Sequence, residues 1–156
     1  MTVTFFIGSK APNGRGNEKK LEEVCMYREQ IDQYIDGKKE EMLEDLKALV
    51  RINSQRGAAG PGKPFGSGPA QALKLGEQLM EKYGLKTKNY DNYVVAGDYG
   101  QGEKALDILA HLDVVPVTDG WTVTTPFDPV VSDGKIYGRG TCDDKGPAIA
   151  ALYAIR

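Results

Sequence analysis

Hydrophobic positions along residues 27–50 recur at steps of three and four, the spacing that places side chains on one face of an α-helix. The opposite face carries Lys, Glu and Asp, and is typical of a surface in contact with solvent. Gly37 is a position at which this helix could be interrupted. The hydrophobic set comprises Ile31, Tyr34, Ile35, Met42, Leu43, Leu46, Leu49 and Val50.

Two further helices are predicted after a glycine- and proline-rich loop at residues 57–68. One begins at Pro69, where the missing N–H of proline would be unpaired in any case, and continues to about Tyr83. The other begins at Pro147, is apolar and rich in alanine, and extends to Ile155.

Short apolar stretches between these helices predict strands. Residues 93–96 and 105–110 are hydrophobic runs, and the second has the composition of a buried strand. Residues 130–131 and 135–137 flank Ser132-Asp133-Gly134, which is typical of a β-hairpin turn.

Residues 1–25 show no comparable pattern. The stretch from Lys10 to Lys20 is rich in Pro, Gly, Asn and Lys, the composition of a loop or a disordered arm. The apolar residues 3–7 are too few for the hydrophobic region of a secretory signal, and no basic flank precedes them. We therefore expect residues 1–25 to be a disordered or non-native extension.

Composition narrows the possible functions. The chain has 156 residues, with 20 Lys and Arg against 22 Asp and Glu, and a formal net charge of −2. This length suits one domain, and the charge balance argues against a nucleic-acid partner. No apolar run approaches the roughly 20 residues that cross a bilayer, so no membrane partner is expected. Two cysteines, Cys25 and Cys142, make no disulfide framework, which favours a reducing, cytoplasmic setting.

One glycine-rich segment has the spacing of a phosphate-binding loop. Residues 57–63 match G-x-x-x-x-G-K, but Pro64 stands where Ser or Thr must offer a hydroxyl to Mg²⁺. The segment also follows a predicted helix, whereas a phosphate-binding loop follows a strand. A flexible connector is therefore the better interpretation.

Candidate chemistry begins where the predicted buried strand ends. Sites in α/β sheets gather at strand ends, and this strand leads into His111 and Asp113. In an extended backbone both side chains project to the same side, where the carboxylate could fix the imidazole tautomer. Taken alone, however, the motif fits a structural histidine better than a metal ligand. His111 is also the single histidine of the chain.

A second polar cluster, Asp143-Asp144, follows the hairpin. Adjacent carboxylates repel unless they are solvated or bound to a cation, and one of them could cap the next helix. On its own the pair favours a solvated turn. Combined with His111, it makes a ligand set compatible with zinc, in which a carboxylate could bridge two metal ions.

Three segments of the chain strongly resemble the co-catalytic zinc peptidases: His-Leu-Asp-Val-Val-Pro at residues 111–116, Asp-Gly-Trp at 119–121, and residues 133–147. That family includes aminoacylases, acetylornithine deacetylases, carboxypeptidases and dipeptidases. The resemblance is strongest to the bacterial Xaa-His (carnosinase-like) dipeptidases. It covers about residues 26–156, with Met26 as a natural start.

The resemblance implies roles for individual residues. His111 would ligate one zinc ion, Asp113 would orient His111, and Asp143 would bridge two zinc ions and be joined to Asp144 by a cis peptide bond. The family's general-base Glu and remaining ligands have no counterpart in this chain. Residues 26–156 would thus be the N-terminal part of the catalytic domain, inactive alone.

The resemblance also implies an α/β fold with a central mixed sheet flanked by helices, truncated and without the family's inserted lid domain. The implied activity is hydrolysis of dipeptides by a zinc-activated water. An N-acyl amino-acid deacylase with the same metal chemistry remains an alternative, and so does a non-catalytic truncated relic.

Four neighbouring residues have simpler interpretations. Cys142 is expected to be an inert packing residue rather than a metal ligand, and Trp121 a packing anchor rather than a substrate platform. Arg139 could pair with a site carboxylate or with Asp144. Lys145 could neutralise Asp144 or be exposed to solvent, and the sequence does not separate these two.

Overall fold

A computed structural model describes residues 4–10, 19–102 and 104–156, with side chains from residues 27–102 and 106–156. In chain order the elements are β1 (Thr4–Lys10), α1 (Lys19–Val50), α2 (Ser67–Lys82), β2 (Lys86–Tyr90), β3 (Val94–Tyr99), β4 (Lys104–His111), β5 (Val130–Ser132), β6 (Lys135–Tyr137) and α3 (Lys145–Ile155).

Four strands form one mixed sheet in the order β2-β3-β1-β4. β2 and β3 are an antiparallel pair, and β1 lies parallel to β3 and antiparallel to β4. β5 and β6 form a separate antiparallel hairpin, at the place where the turn sequence predicts one. The predicted α/β architecture with a central mixed sheet is thereby confirmed.

The helices pack on the sheet and on each other. α2 contacts β2 and β3, α3 contacts β4, and α1 packs against both α2 and α3. Successive side chains of a strand point to opposite faces, so Ala110 of β4 is buried while Leu109 is 70% exposed. The described helices therefore cover one face of the sheet at β4. The core includes Leu49, Val50, Leu73, Met80, Val95, Ile149 and Leu152.

Gly37 does not interrupt α1, which is continuous from Lys19 to Val50. A side chain at Gly37 would meet nothing within 4 Å. A glycine in a helix interior costs about 1 kcal/mol relative to alanine. That cost is too small to break a helix whose C-terminal half is held by tertiary packing.

The N-terminal residues differ most from expectation. Residues 4–10, expected to be disordered, form a strand that is paired on both sides. The physical reason is that this apolar run, with its aromatic and β-branched residues, suits a position between two strands. Residues 1–3 and 11–18 lie outside the described residues. The assignment of 1–25 as a non-native extension stays a prediction.

None of the helices in the described part of the chain is both long and apolar enough to cross a bilayer.

A buried polar cluster joins the three helices. Asp45 of α1 accepts hydrogen bonds from the hydroxyls of Tyr83, which follows α2, and Tyr153 of α3, the latter at 2.8 Å. The two tyrosine hydroxyl oxygens are themselves 2.8 Å apart. Burial raises the pKa of both tyrosines, so they remain protonated donors. The carboxylate thus connects α1 to α2 and α3.

Glu41 extends this cluster towards the surface. Arg156 Nη1 donates to Glu41 Oε2 at 2.9 Å, and Glu41 Oε1 lies 3.0 Å from the Tyr83 hydroxyl oxygen, whose one proton is shared between this carboxylate and that of Asp45. The hydrogen bond from Arg156, which outweighs the opposing effect of burial, lowers the pKa of Glu41 from 4.5 to about 2. The unfolded chain therefore takes up the proton first as pH falls. The stabilisation is complete well above pH 4.5 and is lost as the pH approaches 2.

We expect Glu41→Gln to lower the free energy of unfolding by about 1 kcal/mol at pH 7, since a partly exposed ion pair is screened by solvent. At pH 3 the difference from wild type should shrink by about half. Urea unfolding at both pH values measures this. Glu40→Gln, at the exposed neighbouring position, is the control and should leave stability unchanged. A Glu41→Gln effect of equal size at both pH values would contradict the assignment.

Candidate metal centre

The end of β4 and the residues before α3 bring the predicted ligands together. His111 is the last residue of β4, and its Nε2 lies 3.0 Å from Asp143 Oδ1. The His111 side chain is 31% exposed and the Asp143 side chain 81% exposed. The pair therefore lies at the surface, where further donors and a substrate could approach.

The backbone near His111 offers an acceptor to the ring nitrogen that faces away from Asp143. His111 Nδ1 lies 3.1 Å from the carbonyl oxygen of Asp113, and 3.5 Å from the Asp113 carboxylate. With a cation bound at Nε2, Nδ1 would carry the proton and donate it to this carbonyl oxygen, which can only accept. The shorter contact comes from the backbone of Asp113, whereas orientation by its carboxylate stays a prediction.

A cation shared by these two groups would offset their repulsion. When the proton is on Nδ1, Nε2 and the Asp143 carboxylate oxygen are both acceptors, and 3.0 Å apart they repel unless both bind one cation. An imidazole nitrogen and a carboxylate oxygen are donors that zinc binds readily. Across the described ranges, no group of three or more His, Cys, Asp and Glu side chains is arranged to hold a metal. The described residues thus offer two donors.

Asp144 has a different role from its neighbour. Its Oδ2 accepts a hydrogen bond from the backbone N–H of His111 at 3.1 Å. The peptide bond between Asp143 and Asp144 is cis, as the resemblance implies. One carboxylate of the pair therefore faces the imidazole, and the other ties the loop to the end of β4.

The segment after α1 holds the other side of this strand end. Ser54 is fully buried, and its Oγ donates to the carbonyl oxygen of Leu112 at 2.7 Å. The N–H of Val114 donates to the Ser54 carbonyl at 3.2 Å, and Gln55 Oε1 accepts from Val117 N at 3.0 Å. Sequence reasoning did not single out Ser54 or Gln55, since a serine and a glutamine after a helix carry no motif.

Lys145 does not lie where the sequence predicts. It is completely buried, and its Nζ donates to the carbonyl oxygens of Leu49 and Ile52, each at 2.9 Å. Of the two alternatives that the sequence left open, solvent exposure is therefore wrong, and the hydrogen bonds of the ammonium go to the end of α1 rather than to the Asp144 carboxylate. Burial lowers the pKa of Lys145 to about 8, while the charge of Asp113 acts in the opposite direction.

Three nearby side chains complete the comparison with the sequence. Cys142 is a free, exposed thiol, so the prediction that it packs inertly is wrong. Its neighbours Thr141 and Asp143 are half-buried and exposed, so the loop does not carry Cys142 into the core. The guanidinium of Arg139 lies over the ring of Trp121, 5.5 Å from its centroid. Trp121 is half-buried, in keeping with a packing role.

Residues 108–156 match Peptidase family M20/M25/M40. The chain is 45% identical over 121 residues to the Bacillus subtilis protein named "Putative dipeptidase YtjP". The aligned region covers 76% of this chain and 26% of that protein. It is 44% identical over 133 residues to "Putative dipeptidase SSP1012" of Staphylococcus saprophyticus, covering 84% of this chain and 27% of that protein.

Solved structures show the same relationship. The crystal structure of human carnosine dipeptidase 1 superposes with a TM-score of 0.61 at 26% identity, over 83% of this chain and 30% of that one. The dipeptidase Dug1p of Saccharomyces cerevisiae shares the fold with a TM-score of 0.56 at 19% identity, over 79% of this chain and 29% of that one. The chain spans about a quarter of the length of the curated relatives it matches. Residues 108–156 are therefore similar to Peptidase family M20/M25/M40, and most of the chain is similar to one part of proteins named as dipeptidases.

Proposed function

We propose that this chain is the N-terminal part of a metallopeptidase that hydrolyses dipeptides, and that it contributes His111 and Asp143 to a two-zinc centre. One observation carries the proposal. His111 Nε2 and Asp143 Oδ1 converge at 3.0 Å, while the other ring nitrogen has a carbonyl acceptor, that of Asp113, at 3.1 Å. The names of the matched relatives support a dipeptide as substrate. The exposed free thiol of Cys142 supports a reducing, cytoplasmic setting.

The chain's own residues prepare the centre for metal. Bound zinc would supply Lewis acidity and a water of lowered pKa. The carbonyl of Asp113 offers an acceptor to Nδ1 in the tautomer whose Nε2 can bind metal, and Asp144 fixes the backbone of His111. Because the described residues bring two donors together, we expect the chain alone to bind zinc weakly and to hydrolyse no dipeptide.

Zinc titration by calorimetry tests the ligand assignment. We expect His111→Ala and Asp143→Ala each to weaken zinc binding at least tenfold, because each removes one of two donors. Asp119→Ala removes an exposed aspartate outside the centre and should leave the Kd unchanged. Equal affinities in all four proteins would contradict the assignment. Parallel titrations with Co²⁺ and Mn²⁺ identify the preferred metal, since His and carboxylate donors accept several.

The activity is tested on the complete reading frame. Sequencing the source DNA past the codon for Arg156 should show the frame continuing into a Glu-Glu pair and a later histidine. The product of that frame, assayed with zinc, should hydrolyse a dipeptide faster than an N-acyl amino acid. The reverse preference would favour the deacylase. A stop codon after Arg156 would favour the non-catalytic relic.

A further inference from the structure

We propose that Lys145 is a positioning residue for the metal centre, because it fixes the loop that carries Asp143 to the C-terminal end of α1. The inference rests on the proposed function. It begins from a charged side chain that is fully buried although it touches neither candidate ligand.

The ammonium group donates additional hydrogen bonds at the C-terminal end of α1. The carbonyl oxygens of the last helical turn carry the negative end of the helix dipole, and that of Leu49 accepts one backbone hydrogen bond, from the N–H of Ile52 at 3.1 Å, with a second lone pair left for another donor. Lys145 Nζ donates to the carbonyl of Leu49, in the last turn of α1, and to that of Ile52 just beyond, both at 2.9 Å. A cation suits this position, and these two bonds fix the first residue of α3 relative to α1.

The hydrocarbon stem of Lys145 is held in place, as its ammonium group is. A Cβ placed on Gly140 would lie 3.0 Å from Lys145 Cδ and 3.1 Å from Val114 Cγ1. The stem therefore runs beneath the loop before Asp143 and beside the segment that follows His111. A side chain held at both its stem and its tip leaves the adjoining backbone little freedom.

From Lys145 the connection to the metal donors is direct. Asp144, the preceding residue, accepts the His111 N–H at 3.1 Å, and Asp143 faces the His111 ring at 3.0 Å. The strand end that carries His111 is held by a second contact, the bond of Ser54 to Leu112 at 2.7 Å. The end of α1 and the residues just after it thus support both metal donors: Asp143 through Lys145, and His111 through Ser54.

Three variants of the whole 156-residue chain test the inference. Lys145→Met keeps the unbranched stem but removes the charge and the donors. Lys145→Arg keeps the charge. Leu152→Ala, at a buried position of α3 seven residues after Lys145, is the control for general destabilisation. The readouts are the zinc Kd from calorimetry and the hydrogen-exchange rate of the His111 amide, taken relative to that of Val95.

We expect Lys145→Met to weaken zinc binding by about 10- to 100-fold, the range for residues that support metal ligands. Lys145→Arg should recover most of this affinity. Leu152→Ala should lower the Tm while changing the Kd less than about twofold. A folded Lys145→Met chain with the wild-type Kd would overturn the inference, and so would an equal loss of affinity in Leu152→Ala.

Two other outcomes remain decisive. If Lys145→Met does not fold, a Lys145→Arg chain that folds but binds zinc no better than His111→Ala would overturn the inference, and near-wild-type binding would support it. If the wild-type chain binds no zinc, the proposed function fails on its own. The exchange rate then decides, since Lys145→Met should speed relative exchange at His111 at least tenfold, and an unchanged rate overturns the positioning role.

Discussion

Gly146→Ala is expected to lower the free energy of unfolding by about 3 kcal/mol, at the upper end for steric overpacking, and to abolish zinc binding. A Cβ at Gly146 would lie 2.0 Å from the carbonyl oxygen of Thr141. That oxygen belongs to the backbone, so it can move only if the loop with Asp143 moves too. The loop is also closed by the bond from Gly146 N to the Gly140 carbonyl at 3.2 Å.

The matched control is Gly37→Ala. Its added Cβ would have nothing within 4 Å, in the interior of a continuous helix. It should therefore raise the free energy of unfolding by about 0.5–1 kcal/mol, because alanine is the better helix former. Urea unfolding followed by circular dichroism compares the two. If Gly146→Ala were as stable as Gly37→Ala, the close approach at Gly146 would be disproved.

Asp45→Ala is expected to lower the free energy of unfolding by about 2–3 kcal/mol, the scale for hydrogen bonds to a charged group. The carboxylate is 9% exposed at the junction of the three helices, and it accepts bonds from Tyr83 and Tyr153. Its removal leaves two buried hydroxyls with fewer acceptors. Thermal unfolding of the variant and of the wild-type chain measures the loss.

Glu44→Ala is the control, at the neighbouring position in α1. Glu44 and Lys47 form an ion pair of 2.7 Å, but the Glu44 side chain is 62% exposed. An exposed pair contributes little to stability, because water screens the charges and the side chains lose entropy. A loss in Glu44→Ala as large as that in Asp45→Ala would show that burial does not determine the effect.

Local sequence patterns predicted the elements in which apolar side chains are buried on one face and polar side chains are exposed on the other. The spacing of apolar residues located α2 and α3, and the turn sequence located the β5–β6 hairpin. The same logic missed β2, because all but one of its five positions are exposed and its pairing with β3 relies on backbone hydrogen bonds. Every residue except proline can make such bonds, so the sequence does not indicate where they form.

In the candidate metal centre, too, some features could be predicted from the sequence and others could not. A strand running into His111 and a carboxylate pair before a helix made a ligand set compatible with zinc, and the resemblance to the zinc peptidases assigned His111 and Asp143 to one site; their side chains lie 3.0 Å apart in the structure. The burial of Lys145 could not be predicted, since lysines are seldom fully buried. Its acceptors are also 93 and 96 residues away along the chain, beyond the reach of any local pattern.

The position of β1 has a consequence for how the chain emerges from the ribosome. Both partners of β1 are made much later, since Lys10 ends β1 and Val94, which begins β3, follows 84 residues on. At about 5–20 residues per second, translation needs roughly 4–17 s to reach β3. Throughout that time the backbone N–H and C=O groups on both edges of this apolar segment are unpaired within the sheet and can pair with other chains. Of the four strands of this sheet, β1 is therefore the first to be synthesised but cannot pair until β3 and β4 have been made, so the less it associates with neighbouring nascent chains in the meantime, the more chains assemble correctly.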